Sequence, residues 1–339
     1  MKTIVAIDGD LLAFRCAAAA EKRTIEVLHK ASGNIKEFKT RTEFYGRDRK
    51  HSGGWLAELN QSRIEKGLDT FKEDAFVITD KRVADDVSNA LHSIKQQIKL
   101  IMKLAGASEY EIYLSGDTNF RDRLPLPSKY KGKREDVERP VLLAQCRQYL
   151  IEHQKAIIAV DEEADDMLVY RAMLAKQSKT EKIVVASLDK DNRQAFGTRL
   201  LDWTQENPEV EMLPEFGELW LNDKGDVKFN GRLGMYHQML IGDSTDCYKP
   251  TELCGVKFGE KSSYDFLKDC EDDYDALQKV NDKYKEWYPE PVTYKAWDGT
   301  EHTKNYLEIW QMYSDCVVMK RSPTYKYDLR SILKYAKIK

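Results

Sequence analysis

Short apolar strands alternate with amphipathic helices through the N-terminal half of the chain. Residues 2–8 (KTIVAID) are rich in β-branched side chains, which is typical of a buried strand. Further strands are predicted at 111–115, 156–160 and 182–188. Helices are predicted between them, at 85–105, 140–153 and 163–177. Strands that alternate with helices in this way predict an α/β fold with a mostly parallel sheet and flanking helices.

Two regions depart from this alternation. Residues 21–84 are highly charged and carry two stretches of alternating polar and apolar residues around the turn-like sequence SGN at 32–34. They predict an insertion that contains a β-hairpin. After about residue 232 the strand pattern fades, and residues 233–339 are predicted to form a helical subdomain. Its helices are predicted at 233–240, 258–269, 272–288 and 302–318.

The composition excludes several classes of protein. With 339 residues, of which 42% are hydrophobic, the chain can bury a sizeable core and is too apolar to be disordered. Its longest apolar runs are far shorter than the roughly 20 residues of a membrane-spanning helix. The N-terminus MKTIVAIDGD lacks the apolar segment of an export signal. The six cysteines include no Cys-x-x-Cys pair, which argues against a zinc site or a disulfide scaffold. We therefore expect a cytoplasmic protein that contacts no membrane.

The charge of the chain is unevenly distributed. The net charge is −3, which by itself argues against binding to nucleic acid. However, residues 121–134 contain six basic residues and one acid, and residues 320–339 contain seven basic residues and one acid. These two segments therefore carry +5 and +6, and the rest of the chain is acidic. Such segregation suits a protein that presents basic surface to a polyanion and keeps a carboxylate cluster for metal.

Acidic residues follow each of the four predicted strands. They are Asp8, Asp117, Glu163, Asp165, Asp166, Asp189 and Asp191. Acids in a turn or in the first turn of a helix are often structural, so each group alone has an ordinary explanation. Together they lie where functional side chains of open α/β sheets collect, at the carboxyl ends of the strands. They would repel one another unless cations neutralised them, and oxygen ligands without His or Cys favour Mg²⁺ or Mn²⁺. Two such ions are the usual arrangement for phosphodiester hydrolysis.

A second acidic pair lies in the helical third of the chain. Asp243 and Asp246 are three positions apart, so that on a helical turn they would face the same way. Downstream, Gly255 and Gly259 flank a short loop that contains Lys257 and enters a predicted helix. Backbone N–H groups at such a helix start can bind a phosphate, although the same pattern is typical of an ordinary helix-turn-helix.

Six short motifs in this order resemble those of the 5′-nuclease superfamily, which includes flap endonucleases. The resemblance is closest to the stand-alone 5′→3′ exonucleases of bacteriophages, and it covers nearly the whole chain. The motifs are AIDGD, SGD, SKYKGKR, EADDM, SLDKD and IGDSTD. Pro250 and Leu253 stand where the family usually has glycine, so that only Gly255 and Gly259 remain of its glycine-rich hairpin.

The resemblance implies a role for each motif. Residues 1–232 would form the PIN-like nuclease core, with an arch-like segment near 118–155, and residues 233–339 would form a DNA-binding subdomain with a helix–three-turn–helix and a basic tail. The acids named above would bind metal, together with Asp243 and Asp246. Lys131 and Arg134 would be catalytic and contact the scissile phosphate. DNA contacts are expected from Arg121, Arg123, Lys129, Tyr130, Lys133, Gly255, Lys257 and Gly259.

The implied activity is a metal-dependent 5′→3′ exonuclease or structure-specific 5′ nuclease of phage DNA replication or degradation. It would use two Mg²⁺ or Mn²⁺ ions, bind a monovalent cation at the glycine loop, and act on DNA with a 5′ end, flap or nick. No nucleotide cofactor is expected, and a phage protein would act in the cytoplasm of the host cell. Two alternatives stay open, a non-catalytic DNA-structure-binding protein of the same fold and a related acid-site ribonuclease.

Overall fold

The computed structural model describes residues 1–47, 53–134 and 137–338. Its chain forms two compact units. The first unit comprises Met1–Ala13, Lys95–Glu138 and Arg147–Lys339, and the second comprises Phe14–Ile94 and Arg139–Cys146. Parts of the expected insertion, arch and basic tail, at 48–52, 135–136 and 339, lie outside the described residues. The subdomain boundary near residue 232 stays a prediction.

The described residues form both strands and α-helices. The strands are β1 (Lys2–Asp8), β2 (Glu21–His29), β3 (Ile35–Phe38), β4 (Phe76–Ala84), β5 (Glu109–Leu114), β6 (Ile157–Ile158), β7 (Glu181–Ala186), β8 (Arg199–Leu201), β9 (Val210–Met212), β10 (Leu219–Leu221), β11 (Val227–Phe229), β12 (Val292–Lys295) and β13 (Glu301–Lys304). The helices are α1 (Gly9–Ala19), α2 (Arg41–Tyr45), α3 (Trp55–Glu65), α4 (Val87–Ala105), α5 (Leu143–Gln154), α6 (Ala164–Ala175), α7 (Gly231–Ile241), α8 (Glu260–Leu267), α9 (Asp273–Trp287), α10 (Tyr306–Val317) and α11 (Leu329–Ala336). None of the described helices has both the length and the apolar character needed to cross a membrane.

The central sheet of the first unit has six strands in the order β6-β5-β1-β7-β8-β9. All neighbours run parallel except β9, which is antiparallel to β8. Strand β1 lies between β5 and β7, and its residues from Ile4 to Ile7 are buried, as expected for a parallel sheet covered on both faces. The predicted fold class, a mostly parallel α/β sheet with flanking helices, is confirmed.

A glycine allows the chain to turn sharply at the end of β1. A Cβ atom at Gly9 would lie 2.7 Å from the Tyr113 carbonyl oxygen and from a methyl group of Ile112, both on β5. Only glycine therefore lets α1 begin immediately beside that strand. As a result Asp8 is held at the carboxyl edge of the sheet, in the middle of its strand order.

The C-terminal helices α7 to α11 pack around an aromatic core that includes Tyr284 and Trp310, whose rings stack 5.4 Å apart. The helix predicted at 302–318 was placed too early. Residues 301–304 are strand β13, which pairs with β12, and α10 begins only at Tyr306. Asn305 and Glu308 explain this start, because they form a reciprocal capping box at the helix N-terminus.

The second unit contains most of the insertion as an antiparallel sheet in the order β3-β2-β4. The predicted hairpin is confirmed, with Ile25 opposite Phe38 and Gly33 in the turn at a φ of 69°. Helices α2 and α3 supply Phe44 and Leu56 to an apolar core against one face of the sheet, beside Phe76. The insertion therefore has its own small hydrophobic core.

Candidate metal and nucleic-acid site

Asp8 is fixed at the carboxyl edge of the sheet by hydrogen bonds to both of its carboxylate oxygens. The backbone N–H of Leu11, in the first turn of α1, donates to Oδ1 at 2.9 Å. The hydroxyl of Ser187 donates to Oδ2 at 3.1 Å. Ser187 directly follows β7, the parallel neighbour of β1, so these bonds join the ends of two adjacent strands.

Asp165, in the first turn of α6, is connected to Asp8 through two side chains that the sequence analysis did not single out. The Asn192 amide donates to Asp165 Oδ1 at 2.7 Å and to the Ser187 hydroxyl at 3.0 Å. Ser187 and Asn192 are both buried. They flank the acids of the SLDKD motif, and that position in the sequence is the signal that could have identified them.

The carboxylates beside this network lie close enough to repel one another. Burial raises the pKa of Asp8 to about 6, and the charge of Asp189 adds to the rise. Burial and then Asp189 raise the pKa of Asp191 to about 7. The pKa of Asp165 is also raised, by burial and then by the charges of Asp189 and Asp8. This edge of the sheet therefore holds an excess of negative charge that a cation would stabilise.

A second group of acids lies against the two predicted catalytic cations. Lys131 forms an ion pair with Glu163, and its ammonium lies 3.9 Å from Asp246. Arg134 donates to Asp246 at 2.8 Å, and the Tyr130 hydroxyl donates to the same carboxylate at 3.1 Å. Burial alone would lower the pKa of Lys131, but the Glu163 and Asp246 carboxylates raise it. Lys131 and Arg134 are thus brought together with two predicted metal ligands.

Asp243 lies in a turn and not on a helix, which corrects the helical spacing assumed for it. Helix α7 ends at Ile241, and Gly242 follows with a φ of 74°, a backbone conformation that glycine adopts without strain. Asp243 then accepts from the N–H of Thr245 at 2.7 Å and forms an ion pair with Lys190 at 2.6 Å. Lys190 lies between Asp189 and Asp191 in sequence, so this pair joins the turn to the acids that follow β7.

Two predictions fail because their residues are partners in the protein interior. Arg121, expected to contact DNA, and Asp166, expected to bind metal, are both completely buried. The guanidinium donates to both Asp166 oxygens, at 2.6 and 3.1 Å, and also to the carbonyl oxygens of Cys316 and Val318. A buried charge requires such a partner, so neither side chain is available to a ligand.

Tyr130 also differs from expectation, whereas the metal-binding role of Asp117 stays a prediction. Tyr130, predicted to contact DNA, is only 3% exposed and stacks on Tyr248, so it cannot stack on a base. Asp117 is exposed in a bend after β5, and within the described ranges it forms no hydrogen bond or ion pair with another predicted ligand. Asp10 binds the end of β5 instead, accepting from the N–H of Ser115 at 2.8 Å and pairing with Arg147.

The other predicted DNA contacts are exposed and stay predictions. They are Arg123, Lys129, Lys133, Gly255, Lys257 and Gly259. Arg123 pairs with Asp161 at 2.6 and 2.7 Å, and the Lys129 ammonium lies 5.5 Å from the centre of the Trp297 ring. Gly259 is the N-cap of α8, and among the described residues no atom other than those of its chain neighbours lies within 4 Å of where its Cβ would be. Backbone at this helix start is therefore accessible to a ligand.

The donor set suits a hard cation, but the side chains are not assembled around one. Across the described ranges, no three Asp, Glu, His or Cys side chains are close enough to bind a single ion as they stand. The available donors are carboxylate oxygens, together with the buried amide oxygen of Asn192, which has no hydrogen-bond partner in the described part of the chain. Oxygen ligands of this kind favour Mg²⁺ or Mn²⁺.

Among the comparisons with known proteins, only the comparison with solved structures finds matches, and these extend over nearly the whole chain. No protein-family model matches the chain, and no curated protein matches it at a significant level. A pseudo-enzyme–product complex of the bacteriophage T5 D15 flap endonuclease with DNA and metal ions is 14% identical, covers 99% of this chain and 100% of its own, and has a TM-score of 0.48. The T5 5′-exonuclease with bound zinc is 14% identical, covers 99% of this chain and 90% of its own, and has a TM-score of 0.45. These matches are phage 5′ nucleases, the kind of protein that the six motifs resemble, but similarity at this level establishes no shared activity.

Proposed function

We propose that the protein is a metal-dependent nuclease that hydrolyses DNA phosphodiesters in the 5′→3′ direction, from 5′ ends, nicks or flaps. One observation carries the proposal. Asp8, Asp165 and Asp189 converge at the carboxyl edge of the parallel sheet, and in the described residues none of them forms an ion pair with a Lys or Arg side chain. Burial, together with the charges of neighbouring carboxylates, raises the pKa values of Asp8 and Asp165. A role in phage DNA replication or degradation belongs to the same proposal.

The residues that would hold the metal fall into two sets. Asp8, Asp165 and Asp189 would bind one Mg²⁺ or Mn²⁺ ion, with Asn192 beside them. The residues Asp117, Glu163, Asp191, Asp243 and Asp246 would bind or orient a second ion. When bound, such ions lower the pKa of a coordinated water and stabilise the charge on the leaving oxygen. Because no such cluster is assembled within the described ranges, binding requires Glu163, Asp243 and Asp246 to exchange their present Lys and Arg partners for metal.

This exchange gives Lys131 and Arg134 a function. In the structure they neutralise Glu163 and Asp246. Once those carboxylates bind metal, both cations can contact the scissile phosphate and stabilise the charge that develops in the transition state. The glycine loop around Lys257 would contact the DNA backbone, and a monovalent cation there is part of the proposal.

The test uses a 5′-labelled duplex, a 5′-flap substrate and an RNA strand of the same sequence. With Mg²⁺ or Mn²⁺ we expect short 5′ products from both DNA substrates, and with EDTA we expect none. Asp8→Asn should be inactive, whereas Asp282→Asn, which alters an exposed carboxylate on α9, should cleave normally. Undiminished cleavage in EDTA would contradict the proposal. Tight DNA binding without cleavage at any metal concentration would favour the non-catalytic alternative, and cleavage of RNA alone would favour the ribonuclease.

A further inference from the structure

Two fully buried polar side chains, Ser187 and Asn192, lie beside the carboxylates proposed for one metal ion. Both are carried by backbone that is held in place. Ser187 directly follows β7, and its N–H donates to the carbonyl oxygen of Leu201 on β8 at 3.2 Å. Asn192 lies in a short 3-10 helix, and its carbonyl oxygen accepts from the N–H of Ala195 at 3.0 Å. Their side chains are therefore supported by the sheet edge and by a helical turn.

The Ser187 hydroxyl makes three hydrogen bonds, and their directions follow from the chemistry of the partners. It lies 3.1 Å from Asp8 Oδ2, 3.0 Å from the Asn192 amide nitrogen and 3.1 Å from the backbone nitrogen of Asp189. The two nitrogens can only donate and an ionised carboxylate can only accept, so the single hydroxyl proton is donated to Asp8. One donor and two lone pairs are then all in use. Ser187 is thus left with orienting its neighbours, because its oxygen has no further capacity for a ligand.

Asn192 orients a second carboxylate, that of Asp165. One N–H of its amide donates to Ser187 and the other donates to Asp165 Oδ1 at 2.7 Å. Because the carboxylate only accepts, the nitrogen of the amide and not its oxygen must face Asp165. Within the described ranges Asp165 Oδ2 accepts no hydrogen bond. The amide therefore determines which oxygen of Asp165 remains open to a cation.

These bonds join all three carboxylates proposed for this ion to one hydroxyl group. Asp8 is bonded to Ser187 directly, Asp189 through its backbone N–H, and Asp165 through the Asn192 amide. The three acids come from different parts of the chain, the end of β1, the turn after β7 and the first turn of α6. Carboxylates repel one another when no cation is bound, so donors between them are needed to keep their oxygens close together.

We propose that Ser187 and Asn192 are positioning residues, which hold Asp8, Asp165 and Asp189 in the arrangement that binds the ion. This inference rests on the metal site of the proposed nuclease function and assigns two residues to it that contact neither substrate nor the reacting atoms. Removing a group that orients a metal ligand typically costs about 10–100-fold in metal affinity. A side chain that only stabilised the fold would leave metal affinity unchanged in the folded variant.

Calorimetric titration of the full chain with Mn²⁺ alone, without DNA, tests the proposal. Asp8→Asn identifies the binding event that belongs to this ion, because that variant lacks one of its ligands. We expect Ser187→Ala and Asn192→Ala each to weaken that event by about 10–100-fold. The matched control is Ser263→Ala, since Ser263 is also fully buried but its hydroxyl bonds His237 at 2.8 Å and no predicted metal ligand. Thermal melting in EDTA shows which variants are folded.

A double variant tests whether the two side chains act together. Because Ser187 and Asn192 are bonded to each other, removing both should weaken Mn²⁺ binding by less than the product of the two separate losses. Raising the Mn²⁺ concentration should restore single-turnover cleavage in each single variant, since mass action refills a weakened site.

The failures of the two proposals are distinguishable. Wild-type protein that binds Mn²⁺, beside folded Ser187→Ala and Asn192→Ala variants of unchanged affinity, would overturn the positioning role and leave the nuclease proposal standing. An equal loss of affinity in Ser263→Ala would also overturn it, because the effect would then follow from any buried serine. Wild-type protein that binds no Mn²⁺ would overturn both proposals.

Discussion

Arg121 and Asp166 form a two-point ion pair at 2.6 and 3.1 Å in the interior of the first unit, where both side chains are fully buried. Asp166 also accepts from the N–H of Lys320 at 3.0 Å and thereby holds the chain that leaves α10. The pair therefore connects the start of α6 to the C-terminal segment. Its role is structural, although each residue lies within a motif that suggests function.

We expect Asp166→Asn to destabilise the protein by about 3–5 kcal/mol, because it leaves the Arg121 guanidinium buried without a counter-charge. The free energy of unfolding from denaturant titration measures the effect. Asp161→Asn is the matched control, since Arg123 and Asp161 have the same two-point geometry, at 2.6 and 2.7 Å, but are exposed. Asn also tolerates the φ of 58° at that position. Equal losses of stability in the two variants would show that burial does not determine how much such an ion pair contributes to stability.

Asp8→Asn should abolish cleavage and leave the metal-free protein as stable as the wild type or slightly more stable. The amide removes a charge that is buried and repelled by Asp189, and its oxygen can still accept from the N–H of Leu11. Melting temperature in EDTA and single-turnover cleavage in Mg²⁺ give the two readouts. Near wild-type cleavage by the folded variant would show that the carboxylate cluster is not the active site.

Lys131→Ala should lower the single-turnover rate by about 10²–10³ while substrate affinity changes much less, because its proposed contact strengthens in the transition state. Lys133→Ala provides the contrast, since Lys133 is an exposed cation of the same segment. There we expect affinity to fall more than rate. A Lys131 variant that loses affinity and keeps its rate would place this residue among the ordinary phosphate contacts.

Stability should fall as the pH decreases from about 6.5 towards 4 because of His237. Burial lowers the pKa of this residue from 6.5 to about 4, so the unfolded chain takes up a proton that the folded chain resists. The contribution of His237 is complete above pH 6.5, and about 3 kcal/mol is lost by pH 4. Denaturant titration of the wild type and of His237→Gln across this range isolates the effect. If the free energies of unfolding of the two proteins changed with pH in parallel, His237 would not be the cause of the loss.

DNA binding should weaken steeply with salt despite the net charge of −3, because basic segments release counterions from DNA. Arg121 contributes nothing to this effect, since it is buried. Removing an exposed phosphate contact, as in Lys133→Ala, should reduce the slope of log affinity against log salt by about one. An unchanged slope would show that this part of the basic segment does not contact DNA.

The order of apolar strands and amphipathic helices was sufficient to predict the parallel sheet and the acids at its carboxyl edge. Both predictions depend on the local periodicity of apolar residues, which is visible in the sequence itself. The same reasoning placed the start of α10 too early, because residues 301–304 have no helix-breaking signal of their own and become a strand only by pairing with 292–295. Each residue of β13 pairs with a residue only six to twelve positions earlier, and a helical pattern considered by itself takes no account of that partner.

The motifs specify which residue types can form the site, whereas packing in the folded chain controls which of those side chains are available to a ligand. Asp165 and Asp166 are neighbours in one motif, yet the first faces other carboxylates and the second is neutralised by Arg121. Adjacent positions on a helix point in directions about 100° apart, so their surroundings depend on what packs on each side. The two arginines of the basic segment also differ in their surroundings. Arg121 is enclosed by the core, whereas Arg134 stays exposed. A motif therefore indicates the chemistry of a side chain, whereas the contacts of that side chain depend on how the chain packs around it.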